Sequence, residues 1–201
     1  MSFTDMKSKI IVCGLDATGY KIFRLLKQQG ARVVGIHNRP LPAEGDDVII
    51  GDLQAAQTLI EAGIREAQTL VLTDEEDGVN LGVLMQARVL NPRIRIVNRL
   101  FNTSLGERLD HTLPDHITMS VAALAAPIFA FSALGSAAIG QLKLFNRTWP
   151  IHQIHIDDAH PWLGRSLSDL WDDRSRMLIY YLPAHGRLDL ISAVVQGRTL
   201  D

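Results

Sequence analysis

The sequence predicts an α/β fold, a doubly wound parallel sheet followed by a small α+β lobe. Three observations predict it. Short apolar runs alternate with helix-like segments from residue 9 to about 119. A glycine-rich turn closes the first apolar run, and after Leu142 aromatic and β-branched runs replace the alternation.

KIIVCG (Lys9–Gly14) is a short apolar run ending in glycine and reads as the first strand. The helix expected over 18–29 puts Ile22, Phe23, Leu25 and Leu26 on one side and stops at Gly30. ARVVGIHN (31–38) is a second strand, RPLPAEGDD (39–47) a polar loop and VIIGD (48–52) a third strand. Residues 53–62 read as a helix ending at Gly63, and TLVLTD (69–74) as the fourth strand. A helix over 75–91 stops at Pro92, IRIVNR (94–99) follows as a strand, 104–113 as a short helix, and DHITMS (115–120) as the sixth strand. Strands separated by helices need right-handed crossovers, which give a parallel sheet covered on both faces. The expectation is therefore a Rossmann-like sheet with its ligand crevice at the carboxyl ends of the strands.

The segment Ile117–Leu142 carries no formal charge. It is long enough for a membrane span of ~20 residues. It is also rich in Ala, Ser and Gly, which contribute little to insertion, and Pro127, Gly135 and Gly140 predict breaks. The favoured reading is a buried or dimer-forming helix pair covered by a second subunit. Beyond it, WPIHQIHI (149–156), RMLIYYL (176–182) and RLDLISAVV (187–195) read as strands, with a short helix over 166–173 capped by Ser166 or Ser168.

Composition narrows the function. The chain has 201 residues, 47% hydrophobic and 21% charged, with a net charge of −2. No basic field exists to hold a phosphate backbone, so nucleic acid is excluded as an expected partner. Cys13 is the only cysteine, which rules out an intramolecular disulfide and a cysteine zinc cluster. No signal peptide opens the chain, since the apolar run in MSFTDMKSKIIVCG is short and ends in the glycine turn.

The loop Gly14-Leu15-Asp16-Ala17-Thr18-Gly19 follows a strand and opens a helix, where a GxGxxG dinucleotide fingerprint sits. The middle position, which lets backbone approach a pyrophosphate, is Asp16. Its carboxylate adds volume and a repulsion of order 1 kcal/mol in water at ~4 Å from a phosphate charge. At the end of the second strand, where an acidic residue binds ribose hydroxyls, stand His37 and Asn38. Two readings follow: nucleotide binding is lost or strongly altered, or an adenine nucleotide is still held, with a metal bridging Asp16 to phosphate.

Taken together these pieces resemble the RCK domains, also called KTN or TrkA-N domains, that regulate K+ conductance. The resemblance rests on IIVCGLDATGYKIFRLL and on VIIGDLQAAQTLIEAGIREAQTLVLTDEEDGVNLGVLMQARVLNPRIRIVNRL, with landmarks Gly51-Asp52, Leu59, Ala62-Gly63-Ile64, Thr73-Asp74, Asn80-Leu81, Asn91-Pro92 and Arg99. It is strong over residues 9 to about 100. PWLGRSLSDLW and AVVQGRTLD resemble parts of the family's C-terminal lobe. The chain is accordingly divided into a Rossmann-like lobe over 1–119, apolar connecting and dimerisation helices over 120–142, and a small lobe over 143–201 expected to be truncated from a longer protein.

The resemblance implies a crevice for NAD(H) or an adenine nucleotide, formed by Gly14 to Gly19 (Gly14, Leu15, Asp16, Ala17, Thr18, Gly19), His37, Asn38, Asp52, Leu53, Thr73 and Asp74. Asp52 would lie near the base and Thr73 at the strand mouth. Many family members carry Arg where this chain has Ala17, so Asp16, Ala17 and His37 all weaken the phosphate and ribose contacts. The resemblance further implies a homodimer, extended to a ring, acting on a membrane-embedded potassium pore or transporter subunit from the cytoplasmic face. No catalytic residue is expected, and no metal ligand is assigned.

Other constellations have ordinary readings. Asp74-Glu75-Glu76-Asp77 complements a helix dipole, with a divalent cation held together with Asp16 as the alternative. His152, His155, Asp157, Asp158 and His160 resemble a metal cluster, but His152 and His155 would face opposite sides of a strand. Trp149, Trp162 and Trp171 read as core or interface residues. No GxSxG or HExxH is present. The expected function is a ligand-sensing gating domain. Its rivals are an assembly module with a degenerate nucleotide site and an NAD(P)-dependent oxidoreductase.

Overall fold

The computed structural model describes residues 8–41, 45–133, 138–144, 147–172, 176–183 and 190–200, which fall in two compact units, 1–135 and 136–201. The first unit runs β1 (Lys9–Cys13), α1 (Ala17–Gln28), β2 (Arg32–His37), β3 (Val48–Ile50), α2 (Ala56–Glu61), β4 (Thr69–Leu72), α3 (Asp77–Leu90), β5 (Arg95–Arg99), α4 (Thr103–Thr112), β6 (His116–Met119) and α5 (Val121–Ala133). The strands form a six-stranded sheet in the order β3-β2-β1-β4-β5-β6, parallel throughout. This is the doubly wound sheet the alternation predicts. The winding reverses between β1 and β4, and a crevice opens at the carboxyl ends of that pair.

Period-two alternation places a separate core on each face of the sheet. Ile11, Cys13, Ile36, Leu70, Leu72 and Ile96 pack against Leu59 of α2 and Leu84 of α3. Val12, Val33 and Val71 pack on the other face with Leu15 and with Phe23 of α1. The glycines read as helix stops act as such. Gly30 has φ +77° and Gly63 φ +76°. The amides that follow them reach five residues back, Ala31 to the Leu26 carbonyl at 3.1 Å and Ile64 to the Leu59 carbonyl at 3.0 Å.

The edge strand β6 is latched to α4. His116 Nδ1 lies 2.7 Å from Asp110 Oδ1, and Asp110 Oδ2 accepts the Thr118 amide at 3.1 Å. On the far side of the ring, Asn98 Nδ2 stands 3.5 Å from His116 Nε2.

Between residues 120 and 142 the structure differs from the expected helix pair. One helix, α5, runs to Ala133, residues 134–137 lie outside the described set, and from Ala138 the chain is a strand. Pro127 does not interrupt α5; its fixed φ is helical, and what it forfeits is the backbone bond from its own nitrogen. Gly140 lies inside β7, beside a shift in register between Ala138 and Gly140. Helix α5 has 13 residues, which span about 20 Å at 1.5 Å per residue. No helix among the described residues is long and apolar enough to cross a membrane.

The second unit has a hairpin, β7 (Ala138–Leu144) antiparallel to β8 (Arg147–His152), and two short helices, α6 (Leu167–Trp171) and α7 (Leu190–Val195). Its core is Leu167, Leu170, Ala193 and Leu200. Ser166 caps α6 by accepting the Ser168 amide at 3.2 Å. The strand expected over 149–156 ends at His152, and 176–182 pairs with no strand among the described residues. The strand expected over 187–195 is corrected: residues 190–195 are α7, and 187–189 lie outside the described residues. Burying Ala193 and Val194 against the small core outweighs the β-propensity of this stretch. Gly197, at φ +63°, stops α7 as Gly30 stops α1.

Burial opposes ionisation of Asp110. Hydrogen bonds from the Thr118 amide, His116 and the Thr118 hydroxyl outweigh it and hold the carboxyl below its ordinary range. A carboxylate depressed in the folded state contributes stability that is present above its unfolded pKa and lost as pH falls through the folded value. The difference in urea midpoint between about pH 6 and pH 3 is therefore expected to be smaller in Asp110→Asn than in the wild type. Equal differences would show that the latch is not a titrating contact.

Candidate functional site

The crevice is built around the turn that leaves β1. Gly14 adopts φ +92° and its amide donates to the Ile36 carbonyl of β2 at 3.0 Å. From β4, the Thr73 amide donates to the Cys13 carbonyl at 2.9 Å. The buried Thr73 hydroxyl stands 3.0 Å from the Cys13 carbonyl and 2.6 Å from that of Gly14. Gly19, in the first turn of α1, lies against the same two groups: a Cβ there would collide with the Gly14 carbonyl and the Thr73 hydroxyl. The loop is thus clamped between β4 and the start of α1 by atoms that leave no room for a side chain.

Asp16 is the residue before α1, with extended backbone. Its side chain is exposed and makes no capping hydrogen bond. Ala17 is exposed and Thr18 half-buried, and the first amides of α1 have no intrahelical partners. The side chain of Leu15 turns inward to pack with Phe23, so only its backbone could serve a ligand.

Beside this loop lies a cavity of about 590 Å³, lined by residues that include Asn38, Asp52, Leu53, Asp74 and Glu76. These come from the ends of β2, β3 and β4 and the approach to α3. The cavity brings together Asn38, Asp52, Leu53 and Asp74 of the expected set. Gly14 to Gly19, His37 and Thr73 are not part of its lining. His37 is buried, 7% exposed, and its Nδ1 has no hydrogen-bond partner among the described residues. Gln54, Glu76 and Val79 line the cavity without having been expected. Their signal lies in position, as the residues following β3 and opening α3.

Several landmark residues act on the frame. Asn80, buried, accepts the Asp74 amide at 3.1 Å and donates to the Asp74 carbonyl at 3.0 Å and the Arg99 carbonyl at 2.9 Å. Arg99 Nη1 donates to the Thr73 carbonyl at 3.1 Å and lies 3.8 Å from Glu75. Asn91 Nδ2 donates to the carbonyls of Ile64 and Ala67, both at 2.9 Å. Asp77 accepts the amides of Phe101 and Asn102. The acidic run is therefore divided in role: Asp77 ties α3 to the start of α4, Asp74 Oδ1 accepts the Glu76 amide at 2.9 Å, and Glu75 faces Arg99.

The cavity is electronegative. Burial above all, and then the charges of Asp74 and Asp52, push the Cys13 thiol well above its usual range, so it is an inert part of the core. Among the described residues no group of three or more His, Cys, Asp or Glu converges to hold a metal ion. His160 Nδ1 instead accepts the Trp162 amide, and Asp157 the Ala159 amide. Trp162 packs on the second core with Arg176 4.8 Å over its ring, while Trp149 is exposed on β8. The Trp171 side chain lies outside the described residues.

A parallel 3-2-1-4-5-6 sheet with a glycine turn at its switch point defines a Rossmann-like domain. The family model of the TrkA-N domain matches residues 10–119, and the chain belongs to that family. An uncharacterized protein of Methanothermus fervidus is 34% identical over 102 residues, covering 47% of this chain and 16% of that protein. The structure of GsuK bound to ADP superposes with a TM-score of 0.55 and 26% identity, over 64% of this chain and 34% of the GsuK chain. The Kef C-terminal domain of Shewanella denitrificans in its AMP-bound form has a TM-score of 0.55 and 22% identity, over 65% of this chain and 84% of that one. At that identity it shows the shared fold. The chain thus spans about a third of the GsuK chain and a smaller share of the archaeal protein.

The clamp predicts the effect of one methyl group. Gly19→Ala must displace either the Gly14 carbonyl or the Thr73 hydroxyl, and overpacking of this kind costs about 1–3 kcal/mol. The urea midpoint is expected to fall accordingly. In contrast, Gly78→Ala, whose Cβ would meet nothing within 4 Å, is expected to leave the midpoint unchanged or raise it. Equal behaviour of the two variants would refute the clamp.

Proposed function

We propose that this chain is the ligand-sensing regulatory domain of a potassium channel or transporter, binding an adenine nucleotide in the β1/β4 crevice, and is not an enzyme. The observation that carries the reading is the cavity lined by Asn38, Asp52, Leu53 and Asp74 at the switch point of a TrkA-N sheet. GsuK, at 26% identity, is described with ADP bound. In this reading the α1 amides and Gly14 to Gly19 approach the phosphates, and Asn38, Asp52, Leu53 and Asp74 surround the nucleoside. Thr73 and His37 shape the site from behind. Asp16 faces the phosphates and weakens the site without abolishing it. NAD(H) would use the same crevice. A divalent cation enters only with the nucleotide, bridging Asp16 to phosphate, since among the described residues no three carboxylate, His or Cys groups converge to hold one.

Ligand binding matters to a pore only through a shape that differs between bound and free states. Helix α5 supplies the coupling surface. It exposes Val121, Leu124 and Phe129, an apolar face suited to a second copy of the chain. The domain would then act as a homodimer or part of a ring at the cytoplasmic face of the membrane.

A thermal-shift titration tests the nucleotide. At about a hundred times Kd, ADP is expected to raise Tm by roughly 5–10 °C. Asp16→Gly is expected to tighten binding by about fivefold, the equivalent of ~1 kcal/mol of removed repulsion. Stabilisation only after Asp16→Gly would mean that the carboxylate has switched the site off. No stabilisation in either protein, with ADP, AMP, ATP or NADH, would leave the assembly module as the better reading. Sedimentation tests α5: the wild type is expected to dimerise and Leu124→Glu/Phe129→Glu to be monomeric. A wild-type monomer at tens of micromolar would remove the coupling surface.

A further inference from the structure

We infer that the amino edge of the six-stranded sheet docks on an anionic lipid surface, an inference that rests on the reading above for the presence of a membrane. In an all-parallel sheet every strand starts at one edge and ends at the other. Charges carried at strand starts and at strand ends are therefore kept apart. The net charge of −2 conceals that separation.

The amino edge gathers cations. Lys9 opens β1 and pairs in register with Arg32, which opens β2. Arg95 opens β5 and pairs with Thr69 at the start of β4. The turns before β4 and β5 add Arg65 and Arg93. Asn91 joins those two turns: its Nδ2 donates to the Ile64 and Ala67 carbonyls, and its Oδ1 accepts the Arg93 amide at 3.3 Å. Arg32, Arg65, Arg93 and Arg95 are exposed, and Lys9 is half-buried. Among the described residues none of these five side chains takes part in a hydrogen bond or an ion pair. The acids of this edge sit mostly at its flanks, Asp46 and Asp47 before β3 and Asp115 before β6. Asp47 is held by Lys27 at 2.7 Å. Only Glu61 and Glu66, around the turn before β4, lie among the cations, and Glu61 accepts from Gln57.

The carboxyl edge is the reverse. It carries Asp16, Asp52, Asp74, Glu75, Glu76 and Asp77 against Arg39 and Arg99. An anionic surface attracts one edge and repels the other, so its field orients the domain as well as holding it. The crevice then opens away from the lipid, where a soluble ligand reaches it. The cations are spread over the starts of β2, β1, β4 and β5. Four strands span about 14 Å, a breadth that suits a layer of headgroups. Unpaired guanidinium groups meet lipid phosphates with charge-assisted, two-point hydrogen bonds. Each cation near an anionic leaflet adds to the attraction within a Debye length of it.

Co-sedimentation of the 201-residue chain with vesicles tests the proposal. Vesicles of equal parts phosphatidylglycerol and phosphatidylcholine are expected to bind it, and pure phosphatidylcholine vesicles to leave it in solution. Binding is expected to fall as salt rises. Arg93→Gln/Arg95→Gln is expected to weaken binding roughly tenfold or more, as is Arg32→Gln/Arg65→Gln. Lys143→Gln/Arg147→Gln removes two exposed cations of the second unit. It changes net charge equally and is expected to bind as the wild type does. Equal weakening by all three pairs would overturn the role of this edge. Salt-insensitive binding to neutral vesicles would assign the contact to apolar groups and overturn the proposal. Binding of poly-glutamate or duplex DNA without binding of vesicles would assign the edge to a macromolecular polyanion and overturn the lipid surface. No vesicle binding by a chain that ADP still stabilises would overturn this inference alone and leave the sensing role standing.

Discussion

The first unit depends on the contact between β4 and the turn after β1. Thr73 brings its amide and hydroxyl to the carbonyls of Cys13 and Gly14, and Gly19 closes the space from the other side. Every other feature of the crevice is placed relative to that clamp. It fixes where α1 starts, and so where its free amides point. It sets the separation of β1 and β4 at their carboxyl ends, and Asn80 and Arg99 extend the same bonding across β4 to the end of β5. A buried hydroxyl set between two carbonyls is costly to disturb, because its removal takes that donor from the Gly14 carbonyl and leaves Cys13 only the Thr73 amide. The turn after β1 is thereby tied to β4 through Thr73.

The charge pattern then determines what such a mouth can accept. Carboxylates border it at Asp16, Asp52, Asp74 and Glu76, and the raised Cys13 thiol registers two of them through the end of β1. The first amides of α1, which lack intrahelical partners, are the opposing groups. An anionic ligand meets attraction and repulsion within one small volume, so its affinity turns on where along its length the charge is carried. That is a different design from the usual glycine-loop site, in which the helix terminus alone receives the phosphates.

Most of the first unit was legible in the sequence because local signals and tertiary demands agree there. Alternating apolar runs became β1 to β6, and Gly30 and Gly63 stop helices by the same left-handed turn. The second unit was less legible because its core is small and its signals conflict. LISAVV is β-prone, yet it forms α7 to cover Leu167 and Leu170. Gly197, placed after it as Gly30 is after α1, was the signal that favours a helix. Period also failed over 120–142, where a uniformly apolar stretch gives no face to read, and helix and strand divide it. In the crevice, the loop and strand ends were legible from spacing. The division of labour among them was not, since it depends on contacts such as Asn80 to Arg99 that join residues distant in sequence.

That division explains how a TrkA-N scaffold can carry an altered site. The residues that match the expected frame, Gly14, Gly19, Thr73, Asn80 and Asn91, all act on backbone: they accept a turn, admit a close approach, or bond carbonyls and amides. The residues that depart from the dinucleotide fingerprint do none of this. Asp16 makes no cap, Ala17 has no polar side chain, and His37 Nδ1 has no partner among the described residues. Substitution at the exposed Asp16 and Ala17 costs the fold little, so they are free to follow the ligand. The scaffold residues are not free: replacing Gly14 or Gly19 brings a Cβ into collision, and losing Thr73, Asn80 or Asn91 removes bonds to backbone groups. A change in ligand class is therefore expected to appear first at Asp16, Ala17 and His37, which is where this chain departs from the fingerprint.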